Sequence, residues 1–274
     1  DVYKRQYLTR AESSLLENHA DEIVATVRPT AIVEYGSGTS EKTEILIKAA
    51  NQHHDWLHYL PLDVCEEILI ESAERLIERY PWLSIDAWHG DFLHDMQHFE
   101  NSHESSLYTF LGSSLGNFSY QQAIRFLHDV RNTVNDNDWF LLGVDMVKDQ
   151  RILNAAYNDS DGYTAAFNLN VLNVLNRALD GDFDISSFEH HAFFDADRSR
   201  VEMHLRSRCQ QTVTLRDIDL KLDFANDEHI VTEYSRKYTA DSIQQLLNKA
   251  GFAPQQIYTG NNNEFMLILS RCSR

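Results

Sequence analysis

Two closely spaced glycines and three carboxylates stand where apolar runs end: Glu34-Tyr35-Gly36-Ser37-Gly38, Asp63, and Gly90-Asp91-Phe92. Glycine lets the backbone turn with φ > 0 and lie close against a ligand. Asp63 closes the second apolar run, 27 positions beyond Gly36, where a carboxylate can accept from both hydroxyls of a ribose. Asp91 could accept from an adenine amino group, and Phe92 could cover a ring face. The order E-x-G-x-G differs from the dinucleotide signature G-x-G-x-x-G, because Ser40 and Glu41 follow instead of a third glycine. Gly-Lys-Ser/Thr is absent, so the turn is no P-loop. The short turn fits S-adenosylmethionine (SAM) best, and a nearby carboxylate such as Glu34 suits its sulfonium cation. A tight turn with no ligand, and Asp63 as a helix N-cap, remain open alternatives.

These residues need strands ending at one edge. Apolar runs at 31–35, 57–62, 83–88, 107–112 and 139–144 alternate with amphipathic helical patterns at 42–50, 65–80 and 120–133. A helix over 11–27 precedes them. Such alternation predicts parallel strands joined by right-handed crossovers, with ligands bound beyond the carboxyl ends of the strands. The pattern then changes. A helix over 164–179 is followed by strand-like alternation at 189–194, 201–208 and 212–215. A helix at 241–250 ends at Gly251 as C-cap, and strands at 255–259 and 264–270 flank the turn Gly260-Asn261-Asn262-Asn263. A closing helix plus antiparallel hairpin on a parallel sheet resembles the seven-stranded class I SAM-dependent methyltransferases, and the resemblance implies an α/β, Rossmann-like fold with an inserted α+β substrate-binding subdomain. Residues 12–147 and 238–274 form the expected SAM-binding domain, and 1–11 with 148–237 the substrate-binding subdomain.

Composition narrows the partners. The net charge of −18, from 42 acidic against 24 basic residues, argues against nucleic acid and anionic membrane surfaces. No run approaches the roughly 20 apolar residues of a membrane helix, and nothing at the N-terminus reads as a signal peptide. Cys65, Cys209 and Cys272 are scattered and odd in number, as expected for thiols in a reducing cytoplasm. A cytoplasmic monomer acting on a small molecule is expected. The chain opens on Asp1 instead of Met, so residues 1–6 read as the end of a truncated segment or as non-native.

More specific motifs follow the glycine turn. Gly112-Ser113-Ser114-Leu115-Gly116-Asn117-Phe118 resembles the G-S-x-x-G-N-F element of the histidine-specific SAM methyltransferases. Leu141 to Asp149, Ala156-Tyr157-Asn158-Asp159, Phe167 to Leu172, Val201-Glu202-Met203 and Thr232-Glu233-Tyr234-Ser235-Arg236-Lys237-Tyr238 are similar too, in family order from Tyr7 onward. The family resemblance implies L-histidine Nα-methylation with SAM as cofactor, giving trimethylated hercynine in ergothioneine biosynthesis. It places SAM on Gly36, Lys42, Asp63, Asp91 and Phe92. It places the histidine carboxylate on Asn117 and Tyr157, near Gly112, and the imidazole near Glu233 and Ser235, with Met203 and Tyr7 lining the pocket. It also implies a further N-terminal stretch that supplies a tyrosine close to the substrate amine. No single catalytic residue is assigned.

The residue types fit these roles independently. Asn and Tyr donate to carboxylates, and Glu with Ser can pair both imidazole nitrogens. By type alone, Met203 is as readily core, Tyr157 a loop anchor and Glu233 a solvated acid. Two other functions use the same fold: N-methylation of another amino acid such as tryptophan, and SAM binding without catalysis. Glu233 argues for imidazole over indole, and the amino-acid pocket argues against a mere sensor. A metal is not expected: His94 and His98, or His53, His54 and His58, lack further ligands at metal spacing. His190-His191 reads as ordinary strand histidine. No G-x-S-x-G elbow is present, and Asp180-Gly181-Asp182-Phe183-Asp184 reads as a turn, lacking the EF-hand series.

Overall fold

The structure, a computed structural model, describes residues 6–96, 105–260 and 262–273. Residues 1–5, Asn261 of the expected turn and His98 lie outside them. The chain divides into two compact units, residues 8–147 with 238–274 and residues 1–7 with 148–237.

In the larger unit the elements run α1 (Gln6–Val27, entered from the other unit), β1 (Ala31–Tyr35), α2 (Glu41–Ala50), β2 (Leu57–Asp63), α3 (Glu66–Arg79), β3 (Leu83–Ile85), β4 (Trp88–His89), β5 (Ser106–Phe110), α4 (Tyr120–Thr133) and β6 (Trp139–Asp145). After the insertion come α7 (Ala240–Lys249), β12 (Phe252–Thr259) and β13 (Phe265–Cys272). The sheet order is β12-β13-β6-β5-β1-β2-β3, with β4 also beside β2. The pairs among β1, β2, β3, β4, β5 and β6 are parallel, and β13 is antiparallel to both β6 and β12. The strand expected over 83–88 is therefore broken into two short pieces, both hydrogen-bonded to β2.

Strand alternation builds a core on each face of this sheet. Val33, Tyr35, Tyr108, Phe110, Phe140 and Leu142 pack with α4 and α7 residues such as Phe126, Val130 and Leu246. Ile32, Leu107, Trp139 and Leu141 pack with α1 and α2 residues such as Leu16, Ile23, Leu46 and Ile47. With helices on both sides, β1, β5 and β6 are buried along their whole length. β12 begins three residues before its expected start, in spite of Pro254. Among the described residues it pairs only with β13, and the register shifts between Pro254 and Gln256, the edge-and-bulge setting where a missing N–H is tolerated.

The smaller unit contains α5 (Gln150–Tyr157), α6 (Tyr163–Ala178), β7 (Phe188–Asp195), β8 (Arg200–Ser207), β9 (Gln211–Leu215), β10 (Leu220–Phe224) and β11 (His229–Arg236). Its antiparallel sheet runs β11-β8-β7, and β9 pairs with β10. Leu172, Phe183, Phe188, Leu205, Val213 and Phe224 form its core. Three elements were not expected from sequence: α5, capped by Asp149 accepting from Arg151 N, and the strands β10 and β11. The acidic segment 180–184 does turn. Gly181 bridges to Leu215, Asp182 accepts from Thr214 N at 2.7 Å, and Asp184 caps the following 3-10 turn.

Candidate active site

The glycine turn begins where β1 ends. Gly36 has φ 69°, Gly38 φ 49° and Ser40 φ 56°, three left-handed positions within five residues. Gly36 N donates to Leu62 O at 2.7 Å, and Gly38 N donates to Asp63 Oδ2 at 2.8 Å. Asp63 Oδ1 accepts from Cys65 N at 3.0 Å. Asp63 thus clamps the turn to the end of β2 while capping the backbone that leads into α3. Each oxygen uses one lone pair on these bonds, so acceptor capacity remains for a diol. Gly90 N donates to Asp63 O at 3.0 Å, which brings the Gly90-Asp91-Phe92 turn to the same corner. A Cβ added at Gly36 would stand 3.3 Å from Phe92 Cε1. Gly36, Asp63, Asp91 and Phe92 are therefore gathered at the carboxyl ends of β1, β2 and β4. Asp91 is already engaged, accepting from Leu93 N at 2.8 Å and facing His94 Nδ1 at 2.9 Å. The Leu93 N–H bond is the main influence holding its carboxyl below the usual range.

Lys42 and Gly112 meet through a residue the sequence reading passed over, Glu12 of α1. Its side chain is fully buried, pairs with Lys42 Nζ at 2.5 Å, and accepts from Gly112 N at 2.9 Å with each oxygen. Glu12 interrupts the apolar stripe of α1 that includes Leu8, Leu15, Leu16 and Ile23, and an acid in such a stripe was the available signal. Gly112 has φ 77° and Ser113 φ 59°, which end the expected strand at Phe110 and start a 3-10 turn over Ser114–Asn117. Asn117 ends that turn with an exposed side chain.

Beneath the glycine turn lies Glu34, 3% exposed. The Tyr59 hydroxyl donates to its Oε2 and lies 2.9 Å from Ser40 Oγ. Burial pushes the Glu34 carboxyl up to about 7, against the lowering influence of Thr43, Tyr59 and Lys42.

In the smaller unit, Tyr157 and Ser235 are buried and bonded, the Tyr157 hydroxyl donating to Ser235 Oγ at 2.8 Å. Glu233 and Ser235 lie two apart on β11, hence on one face, and Met203 is the cross-strand partner of Glu233. Met203 is 1% exposed and Glu233 half-buried. The Tyr7 hydroxyl accepts from Lys148 Nζ at 3.2 Å. The residue missed here is Lys237, 2% exposed, which donates to Tyr157 Oη at 2.9 Å and to Ser235 Oγ at 2.8 Å. Its place two beyond Ser235, itself two beyond Glu233, was legible only once β11 was known to be a strand.

The strand order, the antiparallel β13 and the glycine corner define a class I SAM-dependent methyltransferase. A S-adenosylmethionine-dependent methyltransferase from Clostridium acetobutylicum shares the fold at a TM-score of 0.52 and 13% identity, over 95% of this chain and 92% of that one. The chain belongs to the SAM-dependent histidine-specific methyltransferases, whose family model matches residues 3–272. It is 38% identical to the histidine N-alpha-methyltransferase of Mycolicibacterium smegmatis, over 96% of this chain and 82% of that one. It is 27% identical to ergothioneine biosynthesis protein 1 of Neurospora crassa, over 97% of this chain and 30% of that longer one. SAM is the cofactor. Asp63→Ala, which removes both the clamp and the free acceptor capacity, is expected to weaken SAM binding by about 1.5–3 kcal/mol. Calorimetric titration giving an unchanged affinity would take Asp63 out of the cofactor site.

Proposed function

We propose that the protein methylates the α-amino nitrogen of L-histidine and carries it through to trimethylated hercynine, a step of ergothioneine biosynthesis. The observation that carries this reading is the Glu233–Ser235 pair on one strand face, in a chain of the histidine-specific family. An acceptor and a hydroxyl two residues apart match the two nitrogens of an imidazole. Asn117 is the proposed carboxylate donor; the Tyr157 hydroxyl, expected to share that role, gives its one proton to Ser235 Oγ instead. Met203 and Tyr7 are proposed to line the pocket, and residues 148–237 to carry much of the substrate recognition. Gly36, Asp63, Asp91 and Phe92 are proposed to hold the cofactor, with Lys42 and Gly112 positioned by Glu12.

Bound SAM supplies an electrophilic methyl group on a sulfonium sulfur and leaves as S-adenosylhomocysteine. The α-amine attacks that carbon with its lone pair, so an N–C bond forms as the C–S bond breaks. The amine must be neutral to do so, although α-amino groups titrate near 8. Each of the first two transfers leaves a proton to be lost before the next, and the third gives a quaternary nitrogen with none. The protein's part is chiefly orientation of two bound reactants, and aromatic faces such as Tyr7 can stabilise the growing cation.

Mass spectrometry of histidine incubated with SAM and the protein is expected to show mono-, di- and trimethylated products in sequence. Bound SAM with unmethylated histidine would overturn the reading, and a series halting at one methyl would remove hercynine from it. Glu233→Ala is expected to raise KM for histidine at least tenfold, on the scale of a lost charged hydrogen bond, with SAM affinity unchanged. Equal use of histidine, tryptophan and phenylalanine by the parent would mean that Glu233 does not face the ring.

A further inference from the structure

Lys237, Tyr157 and Ser235 close a triangle of hydrogen bonds, and the count of protons in it has a consequence for the ligand. The Lys237 amine donates to both oxygens, at 2.9 and 2.8 Å, and the Tyr157 hydroxyl donates to Ser235 Oγ at 2.8 Å. An amine carries enough protons for two bonds whether charged or neutral. A hydroxyl oxygen has two lone pairs and one proton. At Ser235 both lone pairs are taken, one by Tyr157 and one by Lys237. Only the Ser235 proton is left to offer, and among the described residues it meets no acceptor. Ser235 is therefore a donor. Glu233, on the same face of β11, is an acceptor when ionised.

We propose that Lys237 is a positioning residue: by filling a lone pair of Ser235 it fixes that hydroxyl as a donor, so the Glu233–Ser235 pair takes an imidazole only in its neutral form and only in the tautomer whose N–H faces Glu233. The inference rests on the histidine reading given above and deepens it. An imidazolium carries N–H on both nitrogens, and one of them would confront the Ser235 proton. The opposite tautomer mismatches twice, setting a lone pair against the Glu233 carboxylate and an N–H against Ser235. Without Lys237, Ser235 could turn and accept, and the discrimination would be lost.

The described groups around the pair divide between the two faces of the sheet. On the same face, β8 contributes Val201, Met203 and Leu205, and β7 contributes His190. His190 Nε2 donates to Tyr157 O at 2.8 Å, and its Nδ1 accepts from Asn168 Nδ2 at 3.0 Å. By strand alternation Arg200, Glu202, His204, His191, Tyr234 and Arg236 belong to the other face. There His204 Nε2 bonds Glu202 Oε2 at 2.9 Å and its Nδ1 faces His229 Nδ1 at 2.9 Å.

The test uses histidine labelled with 15N at both ring nitrogens, bound with S-adenosylhomocysteine so that no turnover occurs. In the parent, NMR is expected to show one protonated and one bare ring nitrogen. Affinity should then fall about tenfold per pH unit below the ordinary imidazole value near 6.5. In Lys237→Met the bound ring is expected to carry protons on both nitrogens in that acid range and the fall in affinity to flatten, with S-adenosylhomocysteine affinity unchanged. Ser235→Ala, which removes the donor itself, should flatten it too. A parent ring protonated at both nitrogens overturns the inference even if Lys237→Met does not fold, and so does a slope unchanged in both variants. A parent that binds no histidine sinks the proposed function along with it, whereas histidine bound as imidazolium sinks this inference alone.

Discussion

Glu12→Ala should be the most destabilising substitution near the site, lowering stability by about 3 kcal/mol, at the lower end for breaking a buried ion pair. The lower end applies because Lys42 keeps 22% of its side chain exposed and can reach water, whereas Glu12 has none. The variant leaves Gly112 N without its acceptor and frees Lys42 at the same stroke. Glu12→Gln should recover part of the loss, since an amide oxygen can still accept from Gly112 N. Urea midpoints for the parent and both variants would measure this. A loss for Glu12→Ala below about 1 kcal/mol, the range of a surface pair, would mean that the network is ornamental.

Glu34→Gln should change how stability depends on pH. Burial raises the folded-state carboxyl from its ordinary 4.5 to about 7. A raised acid is stabilising while both states hold the proton, and that contribution drains away as pH rises from the unfolded value through the folded one. The gap corresponds to on the order of 3 kcal/mol. Relative to Glu34→Gln, which cannot ionise and can still accept from Tyr59, the parent should therefore weaken steadily between pH 4.5 and 7 and run parallel above. Thermal melts of both proteins across that range decide it, and parallel curves throughout would show that Glu34 is not held protonated by its surroundings.

Much of the larger unit was legible because its central strands β1, β5 and β6 are buried on both faces and its strands end in turn residues. Gly36, Asp63 and Gly90-Asp91-Phe92 announced one corner, and the structure brings them together. What escaped were partners remote in sequence and signals blurred by irregularity. Glu12 lies 100 residues from Gly112, and its acid was visible only as a flaw in an apolar stripe. β10 does alternate at Leu220, Leu222 and Phe224, but Leu220 is exposed. In β11 a register shift between Val231 and Glu233 breaks the two-residue period, so the strand was read as a motif and Lys237 stayed unassigned. The single strand expected over 83–88 fell into two because propensity does not encode where a ladder pauses.

The chain leaves the larger unit after Val147 and returns at Tyr238, and those two residues touch: Val147 N donates to Tyr238 O at 2.9 Å, and Tyr238 N donates to Asp145 O at 2.9 Å. Both ends of a 90-residue detour are thus stitched to the sheet at one seam. Closing a loop depends only weakly on its length, so the seam places little demand on what hangs from it. Residues 148–237 behave as a cassette. Changes there, and in the substrate those residues are proposed to read, need not disturb the strands, the glycine corner or the cofactor proposed to sit at it.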